Sequence, residues 1–428
     1  MILAFISFLF EGLSCYVLRE FVWFAVNMDS ISLIIIMINV IILSIILKGY
    51  AKTKNEYFIL WLAFVARIMI MLLDVYAPDI GINIHSGGDS VAYHNTAVRI
   101  VLNGENFAIG NMYANLLSII YNMFGVQILI GEYFNVLLSM CSIVLIKDIL
   151  DSLPINQNSR MIGLVIMALG PNYILLSPIT LRESVIIFLV TVSLSAFIKG
   201  WNNHKFKYVC VAIACSILGA MFHSGTIAMA LAYGIIIVLY DRNSKKFTIN
   251  LKTLLVGMIV IFCFTTISIV IGDSIFGKFQ RANEIMDISN EASLAASGGS
   301  VYLENQRTGS ITEMIINTPI RIVYFLIAPV PWLWRGFNDV VAFIFSTSIY
   351  LCAIAYMVKA LRLKKCQNKN LVIMFLIMAI VSAIVFAWGV SNSGTALRHR
   401  EKFLSVYVVM LAVCMNEKTH GKKGRVFT

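Results

Sequence analysis

The stretch KGYAKTK at 48–54, followed by YFILWLAFVARIMIMLLD at 57–74, decides the fold. A lysine cluster abutting a long, nearly uncharged run reads as a cytoplasmic loop that feeds an outward membrane span. Arg67 stands inside that run and is expected to face protein rather than lipid. The pattern recurs along all 428 residues, of which 59% are apolar and 13% charged. With a mean hydropathy of +0.85, this composition excludes a chain of soluble domains and defines an all-α, polytopic integral membrane protein. About 11 to 13 spans of about 20 residues each would leave loops and no independent soluble domain. The eight cysteines contain no C-x-x-C pair, so neither a disulfide framework nor a zinc site is expected. The net charge of +11 marks sidedness and calls for no nucleic acid.

Further basic loops at 199–207, 241–252, 359–370 and the C-terminal tail are assigned to the cytoplasm. Parity then places residues 75–126 outside, followed by spans at about 127–146, 161–177 and 184–199. Within the first outer loop, helices are expected at about 90–103 and 111–124. Asn111, Asn115, Ser118 and Asn122 recur at helical spacing, so the second reads as a helix lying in the membrane interface. A hairpin of spans at 208–222 and 225–240 turns at His223, and a span at 252–272 leads to a large outer loop, 273–319. Residues 320–335 cannot be a span without reversing the lysine-rich loop, and Pro329 and Pro331 break the helix, so this segment reads as re-entrant or interfacial. Spans at 339–358, 371–389 and 402–416 complete the chain. Glu11, Arg19 and Glu20 leave the first 29 residues unassigned, and no cleavable signal-peptide pattern is visible there. Three parts result: membrane segments in 1–54, a module at 55–240, and a second module at 241–428 with the outer loop and a short cytoplasmic tail.

Splitting the cations by side sharpens the picture. Seventeen lysines and four arginines fall in cytoplasmic segments, whereas ten arginines and two lysines fall outside or within spans. Guanidinium forks bind phosphate oxygens in bidentate fashion, so outer arginines against the positive-inside trend point to an anionic partner. Arginines snorkelling at span ends are the bland alternative.

Three constellations could carry chemistry. In HSGGDSVAYHNTA at 85–97, Asp89, Tyr93 and Ala97 share a helix face, His85 and His94 lie close by, and Gly87-Gly88 permits a tight turn. Asp89 could accept a proton from a sugar hydroxyl or hold a divalent metal, or it could simply cap the helix. In SPITLRE at 177–183, Arg182 could hold a phosphate and Glu183 could orient a metal, an arginine or an acceptor, or the two could close the turn as an ion pair. In GTALRHRE at 394–401, read as an outer turn, Arg398, His399 and Arg400 could engage a diphosphate. His223 could be a ligand or a satisfied group between helices. Tyr302, Glu304 and Arg307 could form a lid, with Arg335, Asn338 and Asp339 on its rim. The neighbouring tryptophans read as an interfacial belt.

An outward span, an outer loop opening with an acid in G-G-D-S-x-x-Y-H, interfacial helices, a return span, and a second outer acid in S-P-x-x-x-R-E together resemble the GT-C superfamily of membrane glycosyltransferases. The resemblance covers about residues 55–240. It implies a first-loop acid acting as base or metal-associated carboxylate, a role that falls on Asp89 and then Glu183, with His94 beside them. The arginine-rich remainder is similar to the Wzy-type polymerases of O-antigen and capsule. Departures are the single first-loop acid and the missing soluble domain, which points to a lipid-linked or glycan acceptor.

The resemblance thus implies a transferase in a bacterial plasma membrane, facing the exterior and acting on a polyprenyl-phosphate- or diphosphate-linked oligosaccharide. Arg182, Arg398, His399, Arg400, Tyr93, His223, Arg307 and Arg335 would bind substrate. No cofactor is specified by the resemblance, and a divalent cation fits the chemistry. A flippase and a chain-length regulator would be pathway partners. The alternatives are a transferase adding one sugar, a transporter or flippase of an anionic lipid or solute, and a non-catalytic assembly partner.

Overall fold

The computed structural model describes residues 1–19, 28–77, 88–249, 301–303, 311–363 and 368–420, together with positions 253, 255, 257, 258 and 366. Among these residues, regular structure is helical apart from a hairpin that pairs Tyr240–Asp241 with Lys246–Phe247 and an isolated bridge between Val301 and Asn392. We number the helices α1 (Ile2–Arg19), α2 (Met28–Tyr50), α3 (Lys54–Tyr76), α4 (Gly88–Leu102), α5 (Met112–Phe124), α6 (Ile128–Ser152), α7 (Gln157–Leu169), α8 (Pro171–Leu176), α9 (Glu183–Asn203), α10 (Phe206–Phe222) and α11 (Ile227–Leu239). They continue with α12 (Ile311–Ile327), α13 (Phe337–Arg362), α14 (Lys369–Trp388), α15 (Ser393–Glu401) and α16 (Leu404–His420).

Among the described residues, seven helical stretches are long and apolar enough to cross a membrane: Asp29–Tyr50, Lys54–Tyr76, Ile128–Ser152, Gln157–Leu176, Glu183–Asn203, Phe337–Arg362 and Lys369–Trp388. Five shorter apolar helices accompany them. The chain is therefore a polytopic all-α membrane protein. The expected span at 252–272 falls, apart from four isolated positions, outside the described residues, as do most of the loop 273–319 and the charged tail.

Several expectations need correction. Residues 311–319 belong to α12 and not to an outer loop, because the helix runs through Pro319. Its end falls where Pro329 and Pro331 were expected to break it, and a single 3-10 turn, Pro331–Leu333, follows. Residues 394–401 form a helix rather than a turn, since the Asn392 side chain caps the backbone N–H groups of Gly394 and Thr395. On α5, Asn115 and Ser118 are buried while Asn122 is exposed, so the polar stripe is no solvent-facing edge. Asn115 is turned inward to pair with both the N–H and the C=O of Ala108.

The chain divides into two compact units. The first comprises Met1–Leu145 with Ala168–Phe188, and the second Ile146–Met167 with Leu189–Thr428. In the first, α5 packs on both α4 and α1, and Phe8 stacks on Phe124 at 4.4 Å between ring centroids. Gly12 permits that approach, because a Cβ there would stand 2.4 Å from the Phe124 ring. In the second, α14 packs against α11, α12 and α16, and α13 lies along α16. A wide turn, Phe343–Thr347, interrupts α13 and rotates Ser346 and Thr347 into the interior.

Gly12→Ala should therefore lower stability by about 1–3 kcal/mol through overpacking. Gly49→Ala, with no neighbour within 4 Å of the new Cβ, should leave stability unchanged or raise it slightly. Thermal unfolding of the detergent-solubilised protein measures both, and equal midpoints for the two variants would refute the tight α1–α5 packing.

Candidate functional site

In the first unit, polar groups from five stretches form one connected network. Asp74 closes α3, Glu132 and Asn135 sit near the start of α6, Thr180 lies in the turn after α8, Glu183 opens α9, and Tyr113 comes from α5; the last four are at most 2% exposed, as is Glu132. Glu132 has Asp74 as hydrogen-bond and charge neighbour, and its Oε1 accepts from the Thr180 hydroxyl at 3.3 Å. Asn135 Nδ2 donates to the Tyr113 hydroxyl at 2.8 Å and to the carbonyls of Ile179 and Leu181 at 2.6 and 3.0 Å. Glu132 and Glu183 are the acidic neighbours of Tyr113, whose hydroxyl is held above its usual range, first by burial and then by these charges. Above it, the Tyr93 ring meets Tyr113 edge-on at 5.1 Å.

Two further residues of α4 complete this side. His94 Nδ1 lies 2.8 Å from the Tyr121 hydroxyl, and burial pushes the imidazole below its ordinary range. Asp89 is exposed in the first turn of α4, while Arg182 is half-buried just before Glu183. The structure thus joins Glu183 and Tyr93 in one network and places Asp89 at the surface. His85 and Gly87 lie outside the described residues. Among the described residues no three His, Cys, Asp or Glu side chains cluster as a metal would require.

In the second unit the imidazoles and several cations converge. His223 ends α10, accepts from the backbone N–H of Gly225 at 3.2 Å, and stacks on Phe386 at 5.1 Å. His399 meets His223 edge-on at 4.6 Å and Phe386 at 5.4 Å. Lys402, fully buried, stands 5.8 Å from the centroid of the same Phe386 ring. Arg321 and Arg400 flank Tyr302, whose hydroxyl burial raises and these two cations lower. Tyr302 is itself pinned, its N–H to the Ser391 carbonyl and its hydroxyl to the Val390 carbonyl.

Arg400 corrects the sequence reading. It is 1% exposed, and Nη1 donates to the carbonyls of Phe325 and Leu326 at 3.4 and 2.7 Å. Nη2 donates to the hydroxyls of Thr347 and Ser346 at 2.8 and 3.3 Å. Ser346 in turn donates to Glu401 at 3.0 Å. With both terminal nitrogens engaged in the interior, Arg400 is no open fork for a phosphate, and burial lowers its proton affinity. Arg398 and His399 are only partly buried. Arg335 is exposed, but its fork is filled by Asp339, with two bonds of 3.0 Å that raise the guanidinium's proton affinity. Arg307 and Glu304 lie outside the described residues.

Sequence reasoning overlooked Asp74, Glu132, Asn135, Tyr113 and Arg321 as site components, and read Tyr302 only as part of a lid. The first three could have been found by treating every ionisable or amide group within or at the edge of a span as costly, and therefore engaged. Compared with protein-family models, with curated protein sequences and with solved structures, the chain matches none.

Two outcomes follow. Arg400→Leu leaves two carbonyls and two hydroxyls without their donor and should cost about 3–5 kcal/mol, whereas Arg398→Gln should cost about 1 kcal/mol or less. Thermal unfolding separates them, and a benign Arg400→Leu would contradict the buried assignment. The depressed His94 means that the unfolded chain binds a proton at a higher pH than the folded one. Stability should accordingly be steady above about pH 7.5, fall as pH drops through about 6.5, and level off below the folded value. His94→Gln should flatten this part of the profile, and an unchanged slope would rule out the contribution.

Proposed function

We propose that the protein is a membrane-embedded glycosyltransferase acting on a polyprenyl-phosphate- or diphosphate-linked saccharide at the extracytoplasmic face, working as the polymerase of a bacterial surface polysaccharide. The observation that carries this reading is the gathering, from separate stretches of chain, of His223, Arg321, His399, Arg400 and Lys402 in the second unit. A polyanion is the partner such a cluster suits. The buried cations raise the local potential, and Arg398 and His399, only partly buried, are the donors we assign to the phosphate oxygens.

The reaction is displacement at an anomeric carbon. An acceptor hydroxyl forms the new C–O bond as the bond to the carrier phosphate breaks, and the hydroxyl proton passes to a carboxylate. In the first unit we assign that role to Asp89, an exposed acid in the first turn of α4. Negative charge builds on the leaving phosphate, where Arg398 and His399 stabilise it.

A second reading, transport of an anionic lipid or solute, is favoured by one observation. Asp74, Glu132 and Arg67 are ionisable groups buried on membrane helices, as in many proton-coupled carriers.

The glycan banding pattern of cells carrying Asp89→Asn tests the first reading. Loss of the polymer ladder at normal protein abundance is expected, and Arg398→Gln should slow transfer by roughly 10²–10³. An unchanged ladder in Asp89→Asn ends the assignment of the base. Substrate uptake by proteoliposomes without any acceptor sugar would support transport in its place.

A further inference from the structure

At the other end of α9, α10 and α11 lies a recess that none of the chemistry above uses. It is a small, partly open hollow of about 60 Å³ within the second unit, lined by Phe197, Trp201, Val209, Ile237, Tyr240 and Arg242. The wall is preorganised. Phe197 stacks on Tyr233 at 4.1 Å, and Trp201 lies 4.4 Å from Tyr240 and 6.3 Å from Phe247. Gly200 keeps α9 and α10 close, since a Cβ there would stand 3.1 Å from Val209. The hairpin that carries Tyr240 and Phe247 is tied to α14 by a 2.8 Å bond from Asn370 to the Lys245 carbonyl.

The charge around this hollow is one-sided. Between residues 199 and 249 stand Lys199, Lys205, Lys207, Arg242, Lys245 and Lys246, all exposed, against the single acid Asp241. The Asp241 carboxylate closes the hairpin turn by accepting from the N–H groups of Asn243 and Ser244 at 3.0 and 3.3 Å. Large apolar side chains lie among the cations: Phe206 is 69% and Ile249 76% exposed.

We propose that this recess binds the phosphodiester head group of an anionic phospholipid from the leaflet on the lysine-bearing side. Lysine loops that only set orientation need no aromatic hollow among them. A free inorganic anion would use the cations but would leave Phe206, Ile249 and the Trp201 face in water. A phospholipid satisfies both at once, its phosphate against Arg242 and the lysines, its chains along the exposed apolar side chains. Arg242 supplies the planar fork that phosphate oxygens favour.

The test uses the full chain in phosphatidylcholine vesicles containing either brominated phosphatidylglycerol or the same fraction of brominated phosphatidylcholine. Trp201 quenching is isolated by subtracting the Trp201→Phe protein. Because each cation near an anionic surface is worth roughly fivefold in affinity, brominated phosphatidylglycerol should be preferred by roughly tenfold or more. The combined variant Arg242→Gln, Lys245→Gln, Lys246→Gln should reduce that preference to roughly twofold or less. Equal quenching by the two lipids in the unaltered protein overturns the proposal, whether or not the combined variant folds. So does a preference that survives the combined variant, or one that inorganic phosphate abolishes, which would assign the recess to a free anion.

Discussion

A helix broken within an apolar medium exposes carbonyls that water cannot reach, and protein donors must then be supplied from elsewhere. This requirement recurs at three prolines in the chain, each time met by a side chain from a different helix. Beside Gly170-Pro171, Arg67 donates to the Ala168 carbonyl at 2.9 Å. Around Ser177-Pro178, Asn135 donates to the carbonyls of Ile179 and Leu181. At Ala328-Pro329, Arg400 donates to Phe325 and Leu326, and Thr347 to Ala328. The last case has a direct cause: the Phe325 carbonyl would ordinarily pair with the N–H four residues on, and Pro329 has none.

These donors explain why two guanidinium groups persist in the interior. Carbonyl dipoles at a helix C-terminus stabilise a cation much as hydration would. Arg67 adds the face of Tyr173 at 4.8 Å, and Arg400 that of Tyr350 at 5.1 Å. Each broken turn is thereby fixed in position, and two of them adjoin part of a candidate site. The turn held by Asn135 delivers Thr180 to Glu132 and starts α9 at Glu183. The turn held by Arg400 lies against Tyr302, Ser346 and Glu401.

Hydropathy made most of the helices legible, because a span of apolar residues has few other solutions. The N-terminal half of α12 was not, since residues 311–319 read as part of the long loop, while the helix in fact accommodates both Glu313 and Pro319. Inside it, Thr318 accepts from the Trp388 indole at 2.8 Å, a tertiary contact that no local pattern contains. The site was legible in part. Ionisable groups in the outer turns drew notice, and Glu183, Tyr93, His223 and His399 do take part in clusters. Asp74, Glu132 and Asn135 were missed because attention to loops passed over polar groups on the spans themselves. Distance along the chain could not reveal that Asn135 reaches a turn 44 residues away.

The run Arg398, His399, Arg400 illustrates why composition alone assigned one role to residues that have several. Read as a turn, three neighbouring cations can all face a ligand. On a helix, successive side chains are separated by about 100°, so Arg398 and Arg400 point in directions about 200° apart. Once Asn392 caps α15, one arginine is committed to the interior and its neighbour two places earlier to the less buried side. The inward guanidinium closes the break after Ile327 and still contributes its charge to the surrounding field, which falls off slowly where little water screens it. Support of the fold and preparation of an anion-attracting surface are then two consequences of a single helical register.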